Sequence, residues 1–310
     1  MVDIVGVGHS CQDYLCVVES YPPEDGSTHI TELHNQGGGA VATAIVAAAR
    51  LGANAALIAN LGDDDVGTAM LDDFNNESVD TTAVSRLKGV RSLTSYVMIN
   101  PSNGSRTKFP YRDSMPPIAW NEQQVSMLKN AKVLHLDGTH YQNAHRAAVL
   151  AREYGISISL DGCSRQQDNS LNRKLASMAD ILIMNAAYPL SVSERPNISE
   201  ALLEISTWGP EIVMSTAGAN GVFAVHEGEV YHYPPCKVNV VDTTGAGDVF
   251  HGAFLVAYLN GKNLEHCIRF AQYAAAIKCE QIGGRQGIPS WDSVEAQYLV
   301  FAGPARKMQI

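Results

Sequence analysis

The residues best suited to chemistry lie in the stretch VVDTTGAGDVFHGAF, residues Val240–Phe254. Gly245 and Gly247 have no side chains, so the backbone there can approach a ligand closely. The apolar run after them is typical of a buried helix beginning near Ala246, and a helix start presents N–H groups and partial positive charge that suit a phosphate. The stretch therefore predicts a phosphate site, with Asp248 beside it. An ordinary helix cap with Asp248 as a first-turn acid would give the same four residues GAGD.

Two rival nucleotide motifs fit the sequence less well. GVGHSC (Gly6–Cys11) places a GxG directly after the first predicted strand, but the dinucleotide fingerprint needs a third glycine and a following helix. NGKN (Asn260–Asn263) lacks the earlier glycine and the hydroxyl residue of a P-loop. The phosphate cradle is therefore assigned to the GAGD helix start.

Several polar residues follow predicted strands or lie near predicted hairpins. Asp13 comes after the first strand, at the edge of a parallel sheet where ligands bind, although it could also cap a turn. Arg165 follows another strand and Arg112 borders a hairpin, so each could reach a substrate or simply stand in solvent. Asp63–Asp65 resembles a cation cluster, but an acidic helix N-terminus explains it better.

The elements that must position these residues form a regular α/β pattern. Alternation of this kind predicts a parallel sheet covered by helices. Two early hairpins, residues 13–34 and 92–112, interrupt the rhythm and predict a small separate β-sheet. The predicted helices are Ala40–Arg50, Val66–Asn75, Glu122–Asn130, Ala144–Tyr154, Asn169–Met178, Ser199–Thr207, Ala246–Leu259 and Leu264–Glu280.

Composition excludes several classes of protein. A formal net charge of -10 over 310 residues does not suit binding to nucleic acid. The six cysteines form no CxxC pair, and no HExxH motif suggests zinc. The sequence shows neither a signal peptide nor a membrane span, so we expect a cytoplasmic protein with reduced thiols.

Beyond GAGD, the longer stretch DTTGAGDVFHGAF resembles the C-terminal motif of the PfkB, or ribokinase-like, carbohydrate kinases. The resemblance extends over nearly the whole chain and is most similar to the sulfofructose kinase-like branch. It implies one domain over residues 1–310, a three-layer α/β/α fold with a mostly parallel central sheet, and a small β-sheet lid. The other matching segments are GHSCQD, QGGGAVATAIVAAARLGA, NLGDDDVG, STAGANG and KCEQIGGRQGIP.

The resemblance also implies an ATP-dependent kinase that uses Mg²⁺, with K⁺ as a further candidate, and roles for individual residues. Asp248 would be the general base, next to an anion hole at Gly245, Ala246 and Gly247. The remaining assignments are sugar or substrate contacts at Asp13, Gly37, Gly38, Arg112 and Arg165, nucleotide contacts at Asn185, Thr216, Gly218 and Gly221, and a monovalent cation at Asp242 and Thr244.

Two positions depart from the family pattern. Ala42 stands where the family usually has a sugar-binding Asn, and Tyr188, in NAAY, replaces an acid that helps to hold hydrated magnesium. The substrate therefore stays open between sugars and nucleosides. A sugar- or nucleotide-binding protein without turnover and a nicotinamide-dependent oxidoreductase are the alternatives from other classes. A homodimer through the lid is also expected.

Overall fold

The computed structural model describes residues 2–102, 105–111, 115–163, 168–301 and 303–308. In chain order the strands are β1 (Val2–Val7), β2 (Cys11–Val18), β3 (Ile30–Gly38), β4 (Ala55–Ile58), β5 (Asn60–Gly62), β6 (Ser85–Leu87), β7 (Thr94–Asn100), β8 (Ser105–Tyr111), β9 (Ala131–Asp137), β10 (Ser157–Gly162), β11 (Ile181–Asn185), β12 (Ile212–Thr216), β13 (Val222–His226), β14 (Glu229–Tyr233) and β15 (Arg306–Lys307). The helices are α1 (Ala40–Arg50), α2 (Asp65–Asn76), α3 (Glu122–Lys129), α4 (Tyr141–Tyr154), α5 (Asn169–Ala176), α6 (Ala187–Ser193), α7 (Ile198–Ser206), α8 (Ala246–Leu259), α9 (Leu264–Lys278), α10 (Trp291–Glu295) and α11 (Tyr298–Phe301).

The central sheet has the strand order β15-β14-β13-β12-β11-β10-β9-β1-β4. Six of its strands, β4, β1, β9, β10, β11 and β12, run parallel, while β13, β14 and β15 add an antiparallel edge. Side chains alternate between the two faces of the sheet, so each buried strand contributes residues to the hydrophobic core on either side. Ile181 and Ile183 pack with α1, α8 and α9, whereas Leu182 and Met184 pack with α4, α5 and α7. The predicted three-layer α/β/α fold is confirmed.

A second sheet, with the order β3-β2-β7-β8, is the predicted lid. Both predicted hairpins form, and β2 pairs with β7 in parallel to join them. The strands extend further toward the main body than predicted, because Cys11 pairs with Gly38 at the base of the first hairpin. The predicted turn at Asn103 and Gly104 lies outside the described residues. The sheet therefore places the ends of β2 and β3 at the central sheet.

The two faces of the lid differ in what they contact. On the inner face, Leu15, Val97 and Ile99 are buried and contact Ile282 in the main body. Register places Lys108 opposite Val97, hence on this inner face. On the outer face, Tyr14 stacks on Tyr96 with ring centroids 5.1 Å apart. The lid thus turns charged groups toward the body and aromatic groups outward.

Helix boundaries follow local signals closely, but three short helices, α6, α10 and α11, were not predicted. The observed α1 and α8 have the predicted bounds, and α9 ends at Lys278 instead of Glu280. The three helices that were not predicted are seven residues or fewer, too short for a clear helical period, and α6 also contains Pro189, which favours only the first turn of a helix. None of the helices in the described part of the chain has the length and apolar character needed to span a bilayer.

Candidate active site

A cleft of about 440 Å³ lies between the lid and the carboxyl ends of the parallel strands. Parallel α/β sheets bind ligands at this edge, because the loops there are free to carry polar groups. Among the predicted site residues, the described cleft lining includes Asp13, Gly38, Asn185, Thr216, Thr244, Gly245, Gly247 and Asp248. The structure thus brings the predicted sugar, phosphate and nucleotide residues to one place.

Helix α8 starts at the cleft in the way the glycines predicted. Gly245 precedes the helix with φ 75°, a left-handed conformation, and a Cβ there would lie 2.7 Å from the Gly284 carbonyl oxygen. A Cβ on Gly247 would meet nothing within 4 Å, so its backbone faces open space. The Ala246 N–H donates a long bond of 3.3 Å to the Thr243 carbonyl. An arriving phosphate would compete for that N–H and receive others of the first turn.

Asp242 anchors the loop that leads into α8. One carboxylate oxygen accepts from the Thr244 N–H at 2.8 Å and its hydroxyl at 2.7 Å, and the other from the Gly283 N–H at 2.7 Å. Burial opposes ionisation of Asp242, but these donors outweigh it and hold its pKa below the ordinary value. Both carboxylate oxygens are therefore engaged within the protein, an arrangement that does not fit a cation held by this side chain.

At the end of the cleft formed by β2 and β3, Asp13 lies against Gly38. Asp13 is 8% exposed, and a Cβ on Gly38 would collide with its carboxylate. The Cys11 thiol donates to Asp13 at 3.3 Å. Burial raises the pKa of Asp13 above its ordinary value. A buried carboxylate of this kind needs hydrogen-bond donors, which sugar hydroxyls would supply.

Two neighbouring residues do not lie where the sequence assignments would put them. A Cβ on Gly37 would meet the Arg285 guanidinium and the Asp73 carboxylate, so Gly37 faces these groups. Ala42, on α1, is fully buried and packs into the core. Thr43, one residue further on, lines the cleft and was missed. The hydroxyl of Thr43 is the polar group that α1 offers to a ligand.

The predicted nucleotide residues separate into two pairs. Asn185 and Thr216 line the cleft at the ends of β11 and β12. The Asn185 side-chain oxygen accepts from the Ala187 and Tyr188 N–H groups, each at 3.0 Å, and so satisfies two N–H groups at the start of α6. Gly218 begins a short 3₁₀ turn after β12 and Gly221 follows that turn, so both belong to the adjoining loop and not to the described cleft lining.

Tyr188 lies in the core and not in the cleft. It is 2% exposed, and its hydroxyl donates to the Asn172 carbonyl at 3.0 Å. Burial strongly raises its pKa, which keeps the phenol neutral. The side chain that replaces the expected acid is therefore structural. Arg112 and Arg165 lie outside the described residues.

Two charged groups of the cleft were missed by sequence reasoning. Arg106, on lid strand β8, donates from Nη1 to the Thr243 hydroxyl at 2.6 Å. Lys108 also lines the cleft from the same strand. Their alternation on β8 is visible in the sequence, but the side that faces the body depends on register with β7. The lid thus brings positive charge to the start of α8.

A largely buried pair, His251 and Asp161, lines the same cleft as Asp248. His251, one turn after Asp248, has Nε2 3.4 Å from an Asp161 carboxylate oxygen. His251 lies in DVFHGAF, but its partner on β10 is ninety residues earlier and could not be found from local pattern. Both residues line the cleft floor.

The GxG stretch Gly6–Cys11 does not form a dinucleotide-binding turn in the described structure. Gly6–Cys11 leads from β1 into lid strand β2 and not into a helix. A Cβ on Gly6 would collide with Val41 and Ile45 of α1, which explains this glycine by packing.

The acidic run Asp63–Asp65 lies at the start of α2, as predicted. Asp64 caps this helix by accepting from the Gly67 N–H at 2.8 Å.

Comparison with known proteins decides the family. The pattern of the pfkB family carbohydrate kinases matches residues 1–291. The chain belongs to this family. It is an ATP-dependent carbohydrate kinase, and kinases of this type use ATP with Mg²⁺. The nicotinamide-dependent oxidoreductase alternative is therefore wrong.

Relatives within the family differ in substrate. A ribokinase from Haemophilus influenzae is 30% identical over 269 residues, covering 82% of this chain and 84% of the relative. A nucleoside kinase from Methanothermobacter thermautotrophicus is 26% identical over 289 residues, covering 93% and 92%. The structure of Arabidopsis thaliana ribokinase complexed with ribose and ATP has a TM-score of 0.84 and 23% identity over 96% of this chain and 99% of that chain. None of these three is a sulfofructose kinase, so that branch stays a prediction.

Proposed function

We propose that this kinase transfers the γ-phosphoryl group of ATP to a hydroxyl of a sugar bound between Asp13 and Asp248. The observation that carries the proposal is that one cleft contains both carboxylates and the open start of α8. Asp248 takes the proton from the attacking hydroxyl. The N–H groups of Ala246, Gly247 and Asp248 donate hydrogen bonds to the transferring group and stabilise its negative charge.

The two ends of the cleft divide the work of binding. Asp13 and the hydroxyl of Thr43 accept and donate hydrogen bonds at the sugar end, where Gly38 lets the sugar come close. Asn185 and Thr216 lie on the nucleotide side, with Gly218 and Gly221 in the loop beyond. Phosphoryl transfer depends chiefly on positioning and electrostatics, so these groups suffice without a covalent intermediate.

Arg106 places a positive charge beside the transferring phosphoryl group. Its bond to the Thr243 hydroxyl places the guanidinium beside the α8 start. An arginine can contact several phosphate oxygens at once through its fixed fork of donors. Because Arg106 belongs to the lid, this charge arrives only when the lid lies over the cleft. The catalytic site is therefore complete in the closed arrangement.

Magnesium enters this site mainly through ATP. The described residues contain no cluster of three His, Cys, Asp or Glu that could hold a metal by itself. Mg²⁺ requires few protein ligands, because phosphate oxygens and waters complete its octahedron. Bound there, it neutralises charge on the phosphates. Asn185 is the cleft residue of NAAY that remains to orient its waters, since Tyr188 is buried.

The acceptor is sought by measuring ADP release with Mg²⁺-ATP over ketoses, aldoses, sugar acids, sulfosugars and nucleosides. The nucleoside arm is included because the Methanothermobacter relative is named a nucleoside kinase. We expect one acceptor class to raise ADP release well above the rate with ATP alone, and a chelator to abolish it. ATP binding without turnover on any acceptor would favour the binding-protein alternative.

Lid closure gives a measurable expectation. Strands β2, β3, β7 and β8 lie over the cleft, and contacts to ligand should hold them there. Amide hydrogen exchange in β8 is expected to slow when acceptor and a non-hydrolysable ATP analogue are added together. Strand β4, in the central sheet, serves as the internal control. Equal exchange of the lid amides with and without ligands would exclude closure.

The outer lid face supports a homodimer. Large apolar side chains there are exposed, among them Leu33, Tyr96 and Phe109. Patches of this kind usually bind a partner, and a second copy would cover both lids at once. Sedimentation of the wild-type protein should show a dimer, and Leu33→Asp should shift it toward monomer. A wild-type monomer at micromolar concentration would contradict the proposal, and Lys132→Glu provides a charge-changing control on an exposed residue.

A further inference from the structure

A buried lysine lies directly behind the start of α8. Lys278 is the last residue of α9 and is 0% exposed. Its Nζ donates to the main-chain carbonyl of Asp242 at 2.8 Å. Burying an ammonium is costly unless opposite charge and hydrogen bonds compensate, so this placement needs a reason.

The surroundings of Lys278 supply that compensation. Asp242 is 2% exposed and carries a carboxylate, and its carbonyl accepts from the ammonium. Burial lowers the pKa of Lys278, and the nearby cation Arg106 lowers it further. Asp242 and, more weakly, Asp248 favour the charged form and so raise it. The cluster thus holds one ammonium among acidic neighbours at the back of the phosphate site.

The same place was assigned to a monovalent cation from the family resemblance. A K⁺ ion is held by carbonyl and other oxygens that replace its hydration shell. Here the Asp242 carboxylate is fully engaged by Thr244 and Gly283, and its carbonyl already binds the Lys278 ammonium. These residues therefore do not fit a separate cation at Asp242.

We propose that the Lys278 ammonium replaces the monovalent cation, so that this kinase works without K⁺. The inference rests on the proposed phosphate site at α8. The ammonium fixes the Asp242 carbonyl. The Asp242 carboxylate in turn fixes Thr244, which precedes Gly245, and Gly283, whose neighbour Gly284 lies against Gly245. Lys278 is thus a positioning residue: it holds the loop so that the first-turn N–H groups face the cleft.

The first test uses the wild-type protein at constant ionic strength in potassium, sodium or tetramethylammonium chloride. We expect the same kcat within about twofold, the same affinity for a non-hydrolysable ATP analogue, and no K⁺-specific rise in melting temperature. An activation or a nucleotide affinity that requires K⁺ would overturn the proposal. The affinity and melting measurements need no turnover, so they decide the matter even if the acceptor assignment fails.

The second test is Lys278→Met, which keeps the length of the stem and removes the ammonium. We expect kcat to fall about tenfold or more in tetramethylammonium, with a substantial part restored by K⁺ or NH₄⁺, because a small cation can fill the space left by Nζ. Lys132→Met, on an exposed lysine paired with Asp3, is the matched control and should show no salt-specific change.

The results for Lys278→Met distinguish a positioning role of the ammonium from a role of the side chain in packing alone. Equal kcat and equal nucleotide affinity of Lys278→Met and wild type in every salt would overturn the role of the ammonium. If Lys278→Met does not fold, the wild-type salt comparison still decides whether K⁺ is required.

Discussion

The Asp248→Asn variant is expected to lose about 10²–10⁴-fold in kcat, a rise in the barrier of about 3–5 kcal/mol. The change keeps the shape of the side chain and removes the base that accepts the hydroxyl proton. Binding should change much less, because Asp13, Thr43 and the first-turn N–H groups remain. ATP affinity should be equal or slightly higher, since a negative charge near its phosphates is gone.

Steady-state kinetics on the true acceptor, with nucleotide affinity by calorimetry, check this expectation. Asp65→Asn is the matched control, because Asp65 is also a first-turn acid of a helix, α2, but lies outside the cleft lining. It removes the same charge from a helix start and should leave kcat near wild type. Near-normal kcat of Asp248→Asn would remove the assigned role. A large loss of folding would instead identify Asp248 as a structural residue.

For Asp13→Asn we expect a rise in the acceptor KM of about 10–100-fold, with a smaller effect on kcat. Hydrogen bonds to a charged group contribute roughly 1.5–3 kcal/mol, and the variant replaces a two-oxygen acceptor by one oxygen and a donor. Nucleotide affinity should not change, because Asp13 lies at the sugar end. Asp63→Asn, on an exposed acid that pairs with Arg86, removes the same charge elsewhere and is the control.

The pH dependence provides an independent check on Asp13. Burial raises its pKa in the free protein, so the carboxyl protonates at a higher pH than an ordinary aspartate. Sugar hydroxyls donate to the ionised form. Acceptor KM should therefore rise as pH falls through this raised pKa, and Asp13→Asn should lose that dependence. An acceptor KM that is independent of Asp13 at every pH would show that the sugar binds elsewhere.

Sequence predicted most of what local pattern and backbone geometry control. The glycines at 245 and 247 and the apolar run after them predicted the start of α8, and Ala246 is its first residue. Regular alternation predicted the parallel sheet, and two hairpins predicted the lid. These features depend on residues close together in the chain, so a sequence expresses them directly.

Features that depend on distant partners could not be predicted. Lys278 reaches a carbonyl that lies 36 positions earlier, and only the packing of α9 reveals it. Gly37 faces Arg285 across the fold, 248 positions away in the chain. The choice between Ala42 and Thr43 depends on the rotation of α1, where one residue turns a side chain by about 100°. A family motif specifies such a position only when the helix phase is known.

The most direct test of the central claim follows the phosphoryl group itself. ATP carrying a heavy oxygen isotope in its γ-phosphoryl group is incubated with wild-type protein, Mg²⁺ and the acceptor found by the ADP screen, and the products are identified by mass spectrometry. The account predicts a phosphorylated acceptor that carries the label, at a rate lowered about 10²–10⁴-fold by Asp248→Asn. Label that appears only in inorganic phosphate, or that stays in ATP with every acceptor, would contradict it.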